Sequence, residues 1–157
     1  MDYKTNVMRL LDKQKIPYNH YCYADTDALS GEEVAKVLGQ NPDMVFKTLV
    51  TVGKSGKNYV FMIPVCRELD LKKAAVAVKE KSIEMIKSKE LLPLTGYIHG
   101  GCSPIGMKKR FVTVTDKSAE NFPSIIFSAG KIGYQVELTI ENLKKAVNPQ
   151  FQDVCVQ

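Results

Sequence analysis

The chain has 157 residues, enough for one domain with a buried core that needs no staples. Hydrophobic residues make up 45% and charged residues 25%, which excludes disordered and collagen-like chains. No stretch nears the roughly 18 uninterrupted apolar residues of a spanning helix, so no membrane partner is expected. Lysine and arginine total 22 against 17 aspartate and glutamate, a net charge of +5, and only Arg9, Arg67 and Arg110 are arginines. A mild positive field suits an anionic partner, but it is equally an ordinary solvated surface. So few planar guanidinium forks disfavour a reader of DNA bases.

Asn6 to Gln14 sets Val7, Leu10 and Leu11 on one helical face, with Met8 near it, and Ile16-Pro17 stops the helix. Tyr18 to Ala24 reads as a strand. Ser30-Gly-Glu-Glu33 is a capping-box pattern, followed by Val34, Val37 and Leu38 at helical spacing, with Gly39 as the stop. Asn41-Pro42-Asp43 marks a turn. Met44 to Val52 and Asn58 to Val65 read as strands joined by the Gly53–Gly56 hairpin loop. Leu71 to Val78 and Ile83 to Ser88 read as helices capped by Asp70 and Ser82. Leu91 to Lys109 carries two prolines and four glycines and reads as irregular. Strands are expected at 111–114, 124–127 and 134–138. A helix capped by Thr139 runs through Lys145, and a final strand is expected at 153–156. The mixture lacks a regular βαβ rhythm and repeats. It predicts an α+β fold with a mixed, partly closed sheet.

Four places carry candidate chemistry. Lys47 interrupts the apolar run Val45-Phe46-Lys47-Thr48-Leu49, where a charge costs free energy unless it snorkels to water or meets an anion. Gly100-Gly101-Cys102-Ser103-Pro104-Ile105-Gly106 lets backbone N–H groups approach a ligand, or is simply a tight connection. It matches neither of the usual nucleotide-binding glycine motifs. Ser128-Ala129-Gly130-Lys131-Ile132-Gly133 ends an apolar run and is either a ligand edge or a turn. Lys108-Lys109-Arg110 would touch an RNA backbone or flank a strand as a gatekeeper. Cys22, Cys66, Cys102 and Cys155 form no CxxC pair, and neither His20 nor His99 stands at zinc spacing from them. No metal and no other cofactor is expected. A reducing cytoplasm is the simplest compartment, and Met1 to Lys4 opens without the apolar region of a signal peptide. Cys102 reads as a small, half-buried residue rather than a nucleophile, because no adjacent base is visible.

Taken in order, these segments resemble the YbaK family of aminoacyl-tRNA deacylases. That family includes the editing domain inserted in many bacterial prolyl-tRNA synthetases and its free-standing ProX relatives. The resemblance rests on Lys15-Ile-Pro17, Phe46-Lys47-Thr48-Leu49, and Gly96-Tyr97 leading into Gly100-Gly101-x-Ser103-Pro104-x-Gly106. Lys108-Lys109-Arg110 and Ser128-x-Gly130-Lys131-x-Gly133 with Glu137 complete it. It spans nearly the whole chain and implies one domain over residues 1–157, with a mixed, barrel-like sheet and surrounding helices. Carried over by position, Lys47 and Gly101 look like catalytic residues. Tyr23, Phe46, Thr48, Gly100, Ser103, Ser128 and Gly130 look like substrate-binding residues. Cys102 departs from the aliphatic residue expected between Gly101 and Ser103.

The resemblance is nearest the branch that hydrolyses Cys-tRNA(Pro). It implies a trans-editing hydrolase for Cys-tRNA(Pro), or Cys-tRNA(Cys), in which the substrate's own thiol cleaves its ester. The implied partners are the aminoacyl-tRNA acceptor end and, transiently, prolyl-tRNA synthetase. A deacylase for Ala-tRNA(Pro) or another mischarged tRNA, and a non-catalytic module that binds a nucleotide or RNA end, stay open beside it.

Overall fold

The computed structural model describes residues 3–28 and 30–157. Met1 and Asp2, part of the N-terminal reading above, lie outside the described residues. The fold is α+β. Helix α1 (Asn6–Lys13) starts where Thr5 accepts from the Met8 N–H, and it buries Val7, Met8 and Leu11. Strand β1 (Asn19–Cys22) is shorter than the sequence suggests. Helix α2 (Gly31–Val37) opens on the expected capping box: the Ser30 hydroxyl accepts from Glu33 N–H, and the Glu33 carboxylate accepts from Ser30 N–H. A 3-10 turn at Pro42–Met44 follows. Strands β2 (Phe46–Gly53) and β3 (Asn58–Pro64) form the expected antiparallel hairpin. Helix α3 (Leu71–Val78) is capped by Asp70, whose carboxylate accepts from the Lys72 and Lys73 N–H groups.

The expected helix at Ile83–Ser88 is instead strand β4 (Ile83–Met85), paired with the far end of β2. Only Ile83 of the three is buried, so a short edge strand satisfies this segment better than a helical turn would. The helix comes later, as α4 (Ser88–Thr95), inside the stretch expected to be irregular. The Glu90 carboxylate accepts from Lys87 N–H at its start. Pro93 removes one helical hydrogen bond, and the helix ends two residues on, with Gly96 left-handed at φ +87. Strands β5 (Val112–Asp116), β6 (Ser124–Ser128) and β7 (Tyr134–Thr139) and helix α5 (Ile140–Ala146) lie where expected. The last strand, β8 (Gln150–Gln152), precedes its predicted position. At Val154 the backbone N–H turns to the buried Asp116 carboxylate instead of continuing the ladder, and Cys155 keeps a single bridge to Leu69.

The sheet does not close into a barrel. An antiparallel sheet of order β1-β7-β6 and a mixed sheet of order β4-β2-β3-β5-β8 are joined by a parallel bridge between Val45 and Ile126. Strand β3 is buried on both faces. Tyr59, Phe61 and Ile63 pack with Ala74 and Ala75 of α3. Met62 instead joins α1 and β6 in a second core around Met8, Leu11, Ile125 and Phe127. Each such fully buried side chain contributes about 1.5–3 kcal/mol from removal of apolar surface from water. The bridge residues Val45 and Ile126 pack with Ala35 in a third, smaller core, and their neighbours Phe46, Ile125 and Phe127 belong to the core around Met8.

Candidate functional site

Where the two sheets meet, a cavity of about 660 Å³ opens beside β2. Its walls come from residues 45–50, the start of α2, residues 85–88, and the end of β6. Tyr23, Phe46, Lys47, Thr48, Gly100 and Ser128 all line it, so six of the nine sequence candidates converge from four separate segments. Lys47 is half-buried, and beyond its backbone pairing with β3 its ammonium makes no hydrogen bond or ion pair among the described residues. Beside it, the Thr48 hydroxyl is buried without a partner. A buried hydroxyl without a partner costs about 1–3 kcal/mol, so this wall presents a cation and a hydrogen-bonding group that the protein itself leaves unused. Ser128 Oγ accepts from Gly130 N–H at 3.1 Å, which fixes the rotamer of the hydroxyl at the cavity edge.

Gly101, Ser103 and Gly130 do not line the cavity. The Gly101 N–H already donates to the Ile98 carbonyl at 3.0 Å, so it is not free to face a substrate oxygen. A Cβ at Gly101 would stand 3.2 Å from the Ile132 backbone nitrogen, so glycine is needed for close packing of two loops. Ser103 is fully buried and accepts from Ile105 N–H. Gly130 is left-handed at φ +88 and packs under Tyr97 and Val7. Tyr97 donates to the Ile105 carbonyl, which ties the glycine loop to itself.

Cys102 does reach the cavity, but it is buried against Val50 and Val60, and burial pushes its thiol up to about 12. It stays protonated at neutral pH and is a poor nucleophile. His99 and Glu32 line the cavity, and neither makes a hydrogen bond to a hydroxyl or thiol there. Among the described residues, no group of three His, Cys, Asp or Glu side chains could hold a metal ion, and the four cysteines are free. No helix among the described residues is long and apolar enough to cross a membrane. Glu137, part of the sequence pattern, serves the small sheet: its carboxylate accepts from Tyr21 on β1 and Ser124 on β6. That bond and burial raise the Tyr21 hydroxyl to about 12.

Polar lining residues outside the sequence candidates include Glu32, Lys87, Ser88 and Gln135. Gln135 on β7 is only 5% exposed, faces the cavity, and accepts from Gln40 at 2.8 Å. No local signal in the sequence marks it: in Tyr134-Gln135-Val136-Glu137-Leu138-Thr139 polar and apolar residues alternate, so Gln135 reads as one of the solvent-facing polar positions.

The fold is that of an aminoacyl-tRNA editing domain. The model of that family matches residues 25–146, and the chain belongs to it. A protein of Enterococcus faecalis (strain ATCC 700802 / V583), provisionally named Cys-tRNA(Pro)/Cys-tRNA(Cys) deacylase EbsC, is 48% identical over 152 residues. The match covers 96% of this chain and 93% of that protein. Two crystal structures share the fold. One, provisionally assigned as a trans-editing enzyme for prolyl tRNA synthetase, superposes with a TM-score of 0.85 at 22% identity and covers 99% of this chain and 100% of its own. The other, hypothetical protein APE2540, gives 0.87 at 20% identity, with 97% and 100% covered.

Proposed function

We propose that the chain, acting as one editing domain over residues 1–157, hydrolyses the ester of mischarged Cys-tRNA(Pro), with Cys-tRNA(Cys) as a second substrate. It does so in the cytoplasm, in trans to prolyl-tRNA synthetase. Cysteine and proline are close enough in size that binding alone separates them poorly, and a second sieve is needed. The observation that carries the reading is the cavity's chemistry. It offers an unpaired cation, an unpaired hydroxyl and a fixed serine, but no hydrogen-bonded nucleophile and base among the described residues. Such a site positions a substrate that brings its own nucleophile.

In this mechanism the substrate thiol attacks its own ester carbonyl. A C–S bond forms, the ester C–O bond breaks, and the thiol proton leaves with the ribose hydroxyl. The resulting four-membered thiolactone is then opened by water. Lys47 stabilises the negative charge that develops on the carbonyl oxygen, or holds the adjacent phosphate, and favours the thiolate. Thr48 and Ser128 orient the aminoacyl group.

The test is a comparison of Cys-tRNA(Pro) with Ser-tRNA(Pro), which replaces the thiol by a hydroxyl. Cysteine loss is expected to be at least about a hundredfold faster, since a hydroxyl is a far weaker nucleophile at neutral pH. Equal rates would overturn substrate assistance. A panel including Ala-tRNA(Pro) separates the other deacylase reading, and no hydrolysis of any member would leave a binding module.

A further inference from the structure

The β6–β7 connection carries a second cluster outside the cavity. The Ala129 N–H donates to the Tyr134 carbonyl at 3.0 Å, and the Tyr134 N–H to the Lys131 carbonyl at 3.1 Å, so the loop is closed on itself. Gly133, at φ +101, permits the turn. From this loop the Lys131 ammonium stands 4.6 Å above the Tyr3 ring, 6.0 Å from the Tyr134 ring and 3.1 Å from the Tyr3 hydroxyl. The two rings lie 4.9 Å apart at 36°. Tyr3 is 40% exposed, and Lys131 has no carboxylate partner among the described residues.

The cluster adjoins the cavity mouth on two sides. The Gly133 carbonyl accepts from Tyr23 N–H at 2.7 Å. The Ile132 side chain lies 3.6 Å from where a Cβ on Gly100 would stand. Tyr23 and Gly100 are both cavity-lining residues. The loop therefore holds Lys131 and Tyr134, with Tyr3 of the N-terminal segment packed on them, next to residues that line the cavity. Bases stack on aromatic faces and phosphates meet cations, so this combination suits single-stranded nucleic acid.

We infer that Tyr3, Lys131 and Tyr134 form a stacking platform for the unpaired nucleotides that precede the terminal adenosine of the RNA whose ester enters the cavity. The identity of that RNA rests on the deacylase reading. The affinity for single-stranded RNA does not.

The full chain is titrated by fluorescence anisotropy with a labelled single-stranded oligoribonucleotide ending in CCA. Hydrolysis of Cys-tRNA(Pro) and of the cysteinyl ester of adenosine is followed in parallel. The double variant Tyr3→Ala/Lys131→Gln is expected to weaken oligonucleotide binding and raise KM for Cys-tRNA(Pro) by about tenfold. Its kcat and its turnover of the adenosine ester stay at the wild-type level, and Tyr3→Phe behaves as wild type. Unchanged oligonucleotide binding in the double variant overturns the platform. So does equal loss on both esters with a lower Tm, which marks a mere tether for the N-terminal segment. If the wild-type chain binds the oligonucleotide but cleaves neither ester, the deacylase reading falls and the platform stands. Cleavage without measurable oligonucleotide affinity removes the platform alone.

Discussion

Strand β2 and the glycine loop at residues 100–106 look alike in sequence as candidates, and the structure gives them opposite characters. In the loop and on the Tyr97 side chain that braces it, Gly101 N–H, Ser103 Oγ and the Tyr97 hydroxyl are all spent on hydrogen bonds within the protein. On β2, the Lys47 ammonium and the Thr48 hydroxyl are spent on nothing among the described residues. A polar group that the fold satisfies costs nothing to keep and is there for the fold. One left open in a buried wall is a standing cost, retained where a ligand completes it. The loop's polar groups thus serve the fold, while β2 leaves a cation and a hydroxyl open at the cavity.

This contrast can be broken most sharply at Lys47. Lys47→Ala should lower kcat/KM for Cys-tRNA(Pro) by about 10²–10³, the usual cost of one preorganised charge-stabilising group, with an unchanged Tm. Near-normal turnover would remove Lys47 from the reaction. At Gly101 the loss should appear in stability instead. Gly101→Ala meets a backbone atom that cannot swing away, so overpacking should cost about 1–3 kcal/mol in urea unfolding, with activity falling only as the folded fraction falls. Lost activity at full stability would return Gly101 to the reacting centre. Thr48→Val is the smallest change and should move two readouts in opposite directions. Removing an unsatisfied hydroxyl should stabilise the chain by up to about 1 kcal/mol while raising KM by about fivefold, the worth of one hydrogen bond to substrate. Destabilisation would mean that the hydroxyl has a partner in the free protein.

What the sequence revealed follows from what is local. The caps at Ser30, Asp70 and Thr139 and the β2–β3 hairpin are decided by residues within a few positions of one another, and they stand as read. Strand β4 is decided by pairing with β2 some thirty residues away, and three residues hold too little pattern to announce it. Helix α4 was hidden by Pro93 and Gly96, which break longer helices but only end this one. Lys47 was legible because a charge in an apolar strand is conspicuous. Gly101 and Ser103 were misplaced relative to the cavity because glycine and serine look the same whether their N–H and hydroxyl face a ligand or a neighbouring carbonyl. Gln135 was not legible by the reasoning that found Lys47, because it sits in an alternating strand where a polar residue at every second position is ordinary, and only tertiary packing buries it.

The Val45–Ile126 bridge has a consequence for the cavity's geometry. Strand side chains repeat every second residue, and the bridge is parallel, so the residues two steps onward on each side are Lys47 and Ser128, on the same faces as the bridged pair. The bridge therefore works as an index mark between two sheets that are otherwise built separately. Two residues beyond it on either strand stand Lys47 and Ser128, 81 positions apart in the chain and both lining the cavity. A slip of one residue there would turn Lys47 away from the face it shares with Val45 while leaving every helix intact. The spacing across the cavity is thus set by the pairing at one seam, and a substitution that weakens that seam would blur substrate selection before it unfolded the protein.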